Sequence, residues 1–278
     1  VQTGREVVRI DGVPAEERIA EVEERTSGAT SGYLRRMALR EMLLGPEAET
    51  CTITLRGDDE AATSVTLTYE RYAMDTEARP DALAELEPGI RYVDISRITD
   101  ADFEAALPEL AAADAVVFDF RGYPNALSPT FLGHLTGETL QSPLWCVPEV
   151  RLPDRHQLTF REDSWAVDPR EPALAGLLVF VTDSRAISYA ETCLQIVAYH
   201  ELGPIVGETT AGTNGNVKPV EFPGGYTVVW TGMRTLMQDG AVFHGVGVRP
   251  THPVPRTIAG VREGRDELLH AALELARR

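Results

Sequence analysis

Ser188 lies in residues 181–212, VTDSRAISYAETCLQIVAYHELGPIVGETTAG, where a continuous apolar run gives way to a short polar loop and then to helix-spaced apolar positions. A serine at a helix start meets free backbone N–H groups and the positive end of the helix dipole. Such groups can hold a developing oxyanion, so the position suits a nucleophile. The same residues also read as a helix cap, with Glu191 at capping-box spacing from Ser188. The G-x-S-x-G pattern of the α/β-hydrolase turn is absent. A serine nucleophile needs a base within hydrogen-bond reach. Of the 26 Lys+Arg residues only Lys218 is a lysine, so any lysine base has one candidate. Six histidines stand beside it. His200 and His270 fall on helix-spaced stretches, His134 ends one, His156 sits in a charged loop, and His252 follows the glycine-rich segment that His244 opens. Histidine titrates near neutrality and is the natural alternative base. Glu191 shares a helical face with Ser188 and can orient a base or pair with an arginine.

The elements that position these residues follow from periodicity. Residues 6–10 read as a strand and 15–25 as a helix with Ile19 and Val22 on one face. Residues 33–44 form a second amphipathic segment, ended by Gly45-Pro46. Residues 51–56 and 64–69 alternate as half-buried strands do. Residues 1–72 thus form a small α+β module, and the acidic stretch 73–88, with two prolines, reads as a linker. From residue 89 to 278, strands at 90–95, 115–120, 177–181 and 204–206 alternate with helices at 100–113 and 188–202, and a helix starts at 130–135. The runs at 115–120 and 177–181 are apolar enough to be buried on both faces. The alternation defines an α/β layer. Short strands are expected at 220–222, 226–230 and 242–248, and a closing helix at 266–277.

Composition bounds the function. A formal net charge of −17 argues against a nucleic-acid partner. No run approaches the roughly 18 apolar residues of a membrane helix. Three scattered cysteines give neither a disulfide framework nor a zinc spacing.

Five segments, in order, resemble the tail-specific (C-terminal processing) serine peptidases and their tricorn-like relatives: GIRYVDI, VVFDFRG, SRAISYAE, GETTAG and GVGVRPTHPV. The resemblance implies a crotonase/Clp-like α/β peptidase core preceded by part of a PDZ-like α+β module, whose early strands would lie before Val1. It implies peptide or protein substrates, no metal or organic cofactor, and an extracytoplasmic setting. It places the nucleophile on Ser188 and the oxyanion donors on the N–H groups of Gly122 and Tyr189. Apart from the resemblance, Thr210, Gly212 and Asn214 are candidate substrate contacts: Asn214 can hydrogen-bond substrate main chain, while Thr210 can equally shape the turn. Thr213 stands where the family lysine is expected, so the Ser/Lys dyad is absent as written. The base then falls to His244, to a histidine upstream of the PDZ-like part as in tricorn-like relatives, or to Lys218 by a loop rearrangement. The retinoid-binding relatives of the same fold keep a second reading open, a ligand- or peptide-binding module without hydrolysis. Crotonase-type acyl chemistry is a third, but no feature points to a coenzyme A site.

Overall fold

The computed structural model describes residues 3–57, 61–69 and 78–278. Strand β1 (Glu6–Ile10) turns through Asp11 and Gly12, both at positive φ, into β2 (Val13–Pro14). Helix α1 (Ala15–Arg25) buries Ile19 and Val22 against α2 (Ser31–Glu41), which buries Ala38. The second helix starts two residues earlier than its apolar spacing suggests and ends at Glu41, ahead of Gly45-Pro46. Strand β3 (Thr50–Arg56) alternates, with Cys51, Ile53 and Leu55 inward, and pairs with β4 (Ala62–Thr68). The four strands form one antiparallel sheet in the order β2-β1-β3-β4.

Strand β5 (Leu83–Glu87) falls inside the stretch expected to be a linker. It pairs antiparallel with β6 (Ile90–Asp94) as the edge of the central sheet. From Ala84 to Glu87 the sequence AELE alternates apolar and acidic residues, as a half-buried edge strand does, and Pro80 and Pro88 bracket the strand rather than interrupt it. Residues 73–77 of that stretch lie outside the described residues. Helix α3 (Asp100–Ala111) opens on a capping box of Thr99 and Asp102. Strand β7 (Ala115–Asp119) follows, then a 3-10 turn at Pro129–His134 where a helix was expected to begin.

Short strands β8 (Leu140–Gln141), β9 (Leu144–Glu149), β10 (Thr159–Asp163) and β11 (Ala166–Val167) precede β12 (Leu177–Thr182). After β12 come α4 (Tyr189–Tyr199) and β13 (Ile205–Gly207). A hairpin of β14 (Val217–Phe222) and β15 (Tyr226–Thr231) leads to β16 (Arg234–Leu236), which pairs with β9. The chain closes through β17 (His252–Pro253), α5 (Ile258–Glu263) and α6 (Glu267–Ala276). The expected strand at 242–248 is instead a turn: Gly245 and Gly247 hold φ of 80° and 69°, which extended backbone does not allow.

The central sheet has the order β17-β13-β12-β7-β6-β5, and all its pairings except β5 with β6 are parallel. One face carries Phe118, Phe120 and Phe180 against residues of α3 and α4; the other carries Tyr92, Val117 and Val179 against Leu268, Leu269 and Ala272 of α6. Both faces are covered, which explains the nearly continuous apolar runs of β7 and β12. Strands β7 and β12 are direct neighbours, with Asp119 opposite Val181, so the loops leaving their carboxyl ends emerge side by side. Ligands of open α/β sheets sit at that end of the strands. Among the described residues, no helix is long and apolar enough to cross a membrane.

Candidate active site

Ser188 precedes the first residue of α4 at φ 55° and ψ −112°. Positive φ is unusual for a residue with a Cβ and persists only where its surroundings impose it. The restraints are visible. Asp183, buried at the end of β12, accepts hydrogen bonds from Arg185 N–H and from the Arg185 and Arg256 guanidinium groups. Ala211 N–H donates to Ala186 O at 2.9 Å, and Ser188 N–H is shared between Thr213 O at 3.1 Å and Glu191 Oε2 at 3.0 Å. The result is a strained strand-to-helix turn that presents a serine, reached without the G-x-S-x-G pattern.

Glu191 is fully buried and organises the turn. Its Oε1 accepts from Thr210 Oγ1 at 2.5 Å and Gly212 N–H at 2.6 Å, while Oε2 accepts from Ser188 N–H and, at 3.2 Å, from Thr213 N–H. Burial pushes this carboxyl up to about 7, against those four hydrogen bonds, which favour its ionised form. Thr210 Oγ1 in turn accepts from Val248 N–H at 2.8 Å. Gly212 holds φ 73°, and its carbonyl accepts from Gly245 N–H at 3.0 Å. Glu191, Thr210 and Gly212 therefore share one network with the Ser188 backbone.

The neighbouring loop is anchored by charge. Arg121 is fully buried, bound to Asp119 at the end of β7 and, at 2.8 Å, to Asp266 before α6. Burial works against both charges of the Arg121–Asp119 pair. Their mutual attraction outweighs it, holding Asp119 below the usual carboxylate range and Arg121 above its own. Arg79 donates to Arg121 O at 2.8 Å and to Asp94. Gly122 follows this clamp directly. A Cβ there would lie 2.6 Å from Ser96 Cβ, so the close approach of the loop to the Ser96 side chain requires glycine.

Ser188 opens onto a cavity of about 400 Å³. Tyr189, Thr192, Asn214 and Asn216 line it, and so do Trp145, Trp165 and Tyr123. Trp145 and Trp165 stack at 5.5 Å, and Tyr189 packs on Trp165 while its hydroxyl donates to Leu127 O at 3.1 Å. Asn214 Nδ2 donates to Thr192 Oγ1 at 2.8 Å. Sequence reasoning missed the aromatic wall. Two of the chain's three tryptophans form it, and the rarity of the residue was the available signal.

The candidate bases lie elsewhere. His244 is exposed in the turn just before Gly245, and Lys218 is exposed on β14 opposite Trp230. Neither lines the cavity, whose one ionisable carboxyl is that of Asp163. His200 Nε2 accepts from Gln141 N–H at 2.9 Å and His134 Nδ1 meets Pro172 O, so both are tied to other elements. Thr213, where the family lysine is expected, contacts the Ser188 backbone directly. Among the described residues, no group of three or more His, Cys, Asp or Glu could hold a metal ion.

The arrangement is a strained serine at the carboxyl end of a parallel sheet, with a clamped glycine loop leaving the neighbouring strand. Residues 140–254 match the model of peptidase family S41, a span that holds Ser188, Glu191, Thr213, Lys218 and His244 but not Gly122. The fold is similar to that of mature CPAF, at a TM-score of 0.75 and 13% identity over 100% of this chain and 76% of that one. It is also similar to a protein of Parabacteroides merdae ATCC 43184 described as a candidate peptidase, at a TM-score of 0.59 and 14% identity over 95% of this chain and 89% of that one. No curated protein matches the sequence. Residues 140–254 thus resemble peptidase family S41, and three of the five segments, SRAISYAE, GETTAG and GVGVRPTHPV, lie within that span.

Proposed function

We propose that the protein is a serine-type endopeptidase that hydrolyses peptide bonds through an acyl-enzyme on Ser188. The observation that carries this reading is the backbone of Ser188, held at φ 55° by hydrogen bonds from both sides and open to a cavity large enough for peptide side chains. Ser188 Oγ attacks the carbonyl carbon, and the N–H groups of Gly122 and Tyr189 receive the oxyanion. The amine leaves with a proton, water attacks the ester, and the acid product departs. Glu191 acts as a positioning residue, because its oxygens are occupied by the turn rather than by the serine hydroxyl's proton. Asn214 and the glycine-rich loop at Gly212 border the space for substrate main chain. His244 is the proposed base within this chain. Its neighbour Gly245 is bonded to the same loop through Gly212, which supports a short rearrangement as the route to the serine.

A second reading has its own support: no histidine or lysine lines the cavity, as suits a peptide-binding module without turnover. Hydrolysis of a fluorogenic peptide library separates the two. The peptidase reading expects turnover that Ser188→Ala abolishes, a fall of about 10²-fold or more in kcat/KM for His244→Ala, and retained or raised activity for Thr213→Lys. Binding without turnover in the wild type supports the second reading.

A further inference from the structure

Among the described residues, strands β14 and β15 pair only with each other, as a two-stranded sheet apart from the central one. Every residue of β14 and all but the last of β15 are exposed. A lone hairpin is marginal in water and gains stability when one of its faces is covered. The register sets Val220 opposite Val228, Phe222 opposite Tyr226 and Lys218 opposite Trp230, and side chains two apart share a face. Val220, Phe222, Tyr226, Val228 and Trp230 therefore form one continuous apolar face, each of them 39% to 73% exposed. At about 150–250 Å² for a ring and less for a valine, that exposure amounts to roughly 450 Å², within the range of about 300–600 Å² at which a patch marks an interaction site.

Three features argue that a second copy of the chain covers this face. The first is charge. Residues 217–231 carry one lysine and one glutamate, a net charge of zero on a chain of −17, so two copies can meet here without the repulsion that opposes contact between acidic surfaces. The second is shape. A two-fold axis through the Val220–Val228 pair lays the Phe222 and Tyr226 rings at the tip of one hairpin over Trp230 and the Lys218 stem at the base of the other, so the face complements itself end to end. The third is area. Two such faces, with the Lys218 stems at their ends, bury about 1,000 Å² in total, the least that a specific interface needs. Lys218 and Pro219 also blunt the β14 edge against strand addition, which leaves the face as the contact.

We propose that the protein is a two-fold dimer in which this face of one hairpin packs on the same face of the other. The pairing does not depend on Ser188 being a nucleophile. It does bear on that site, because Asn216 and Met233, which flank the hairpin, both line the Ser188 cavity.

Sedimentation velocity of the full chain over a concentration series tests the proposal. A monomer–dimer equilibrium is expected, with Kd on the order of micromolar for an interface of this size. Val228→Lys sets like charges across the axis and should raise Kd about 100-fold or more. Val229→Lys, on the opposite face of the hairpin, should leave Kd unchanged. Mixing Val228→Lys with Val228→Glu should restore a dimer of the two variants, which only a contact centred on residue 228 allows. A wild type that stays monomeric well above micromolar concentration would overturn the proposal. So would a dimer indifferent to Val228→Lys, equal disruption by Val229→Lys, or a mixture that fails to pair.

Discussion

Glu191 shows how one residue can be legible in the sequence while its purpose is not. Its capping-box spacing from Ser188 is visible in S-Y-A-E, and the structure keeps that contact. What spacing could not show is that Thr210, Gly212 and Thr213, more than 18 positions downstream, converge on the same carboxyl. The buried carboxyl makes a pH prediction. Its folded pKa, about 7, lies above the ordinary 4.5, so the folded state holds the proton more tightly. The associated stability is fully present below pH 4.5 and is lost as pH rises through about 7. This group contributes a decline of roughly 3 kcal/mol across that window. Urea denaturation at pH 5 and pH 8 measures it. Glu191→Gln, which resembles the neutral acid, should lose that part of the decline, and an unchanged decline would assign it to other groups.

At the scale of elements, the sheet was readable where burial is symmetrical and obscure where it is not. The runs AVVFDF and LLVFV announce β7 and β12 because covered faces on both sides leave no room for polar residues. Strand β5 hid behind two prolines and an acidic composition, since one edge of the sheet tolerates both. The segment 242–248 carried strand-like valines, yet its glycines set a turn that a single window of alternation does not reveal. The loop after β7 carries a sharper test. Gly122→Ala places a methyl against Ser96 and should push the Gly122 N–H out of line. Reaction of Ser188 with a fluorophosphonate should slow by about 10²-fold, the size of a lost oxyanion donor. Ser96→Gly in the same chain removes the clash and should restore most of the rate. A double variant as slow as the single one would mean that the loop acts otherwise.

At the scale of the whole molecule, the helices beside the β2-β1-β3-β4 sheet reach the loop around Glu191. Thr30, at the start of α2, donates through Oγ1 to Thr210 O at 3.0 Å and to Ala211 O at 3.1 Å. A Cβ on Gly212 would come within 2.5 Å of Thr30 Cγ2, so the module packs onto the loop that holds Glu191. Nothing in either segment's local pattern signals this contact, because residues 30 and 210 are paired only by the fold. Thr30→Ala should cost about 1 kcal/mol of stability and slow the fluorophosphonate reaction at Ser188, read by denaturation and by stopped labelling in parallel. A loss of stability with an unchanged labelling rate would confine the contact to holding α2 against the loop. Lys218, the one lysine of the sequence, lies on β14 and does not line the Ser188 cavity. The chemistry of Ser188 is read out by mapping a covalent adduct. The full chain is treated with a biotinylated fluorophosphonate, digested and sequenced by tandem mass spectrometry. The adduct is expected on Ser188, with no labelling of Ser188→Ala. An unlabelled wild type, or an adduct on Ser164 in the same cavity, would contradict it.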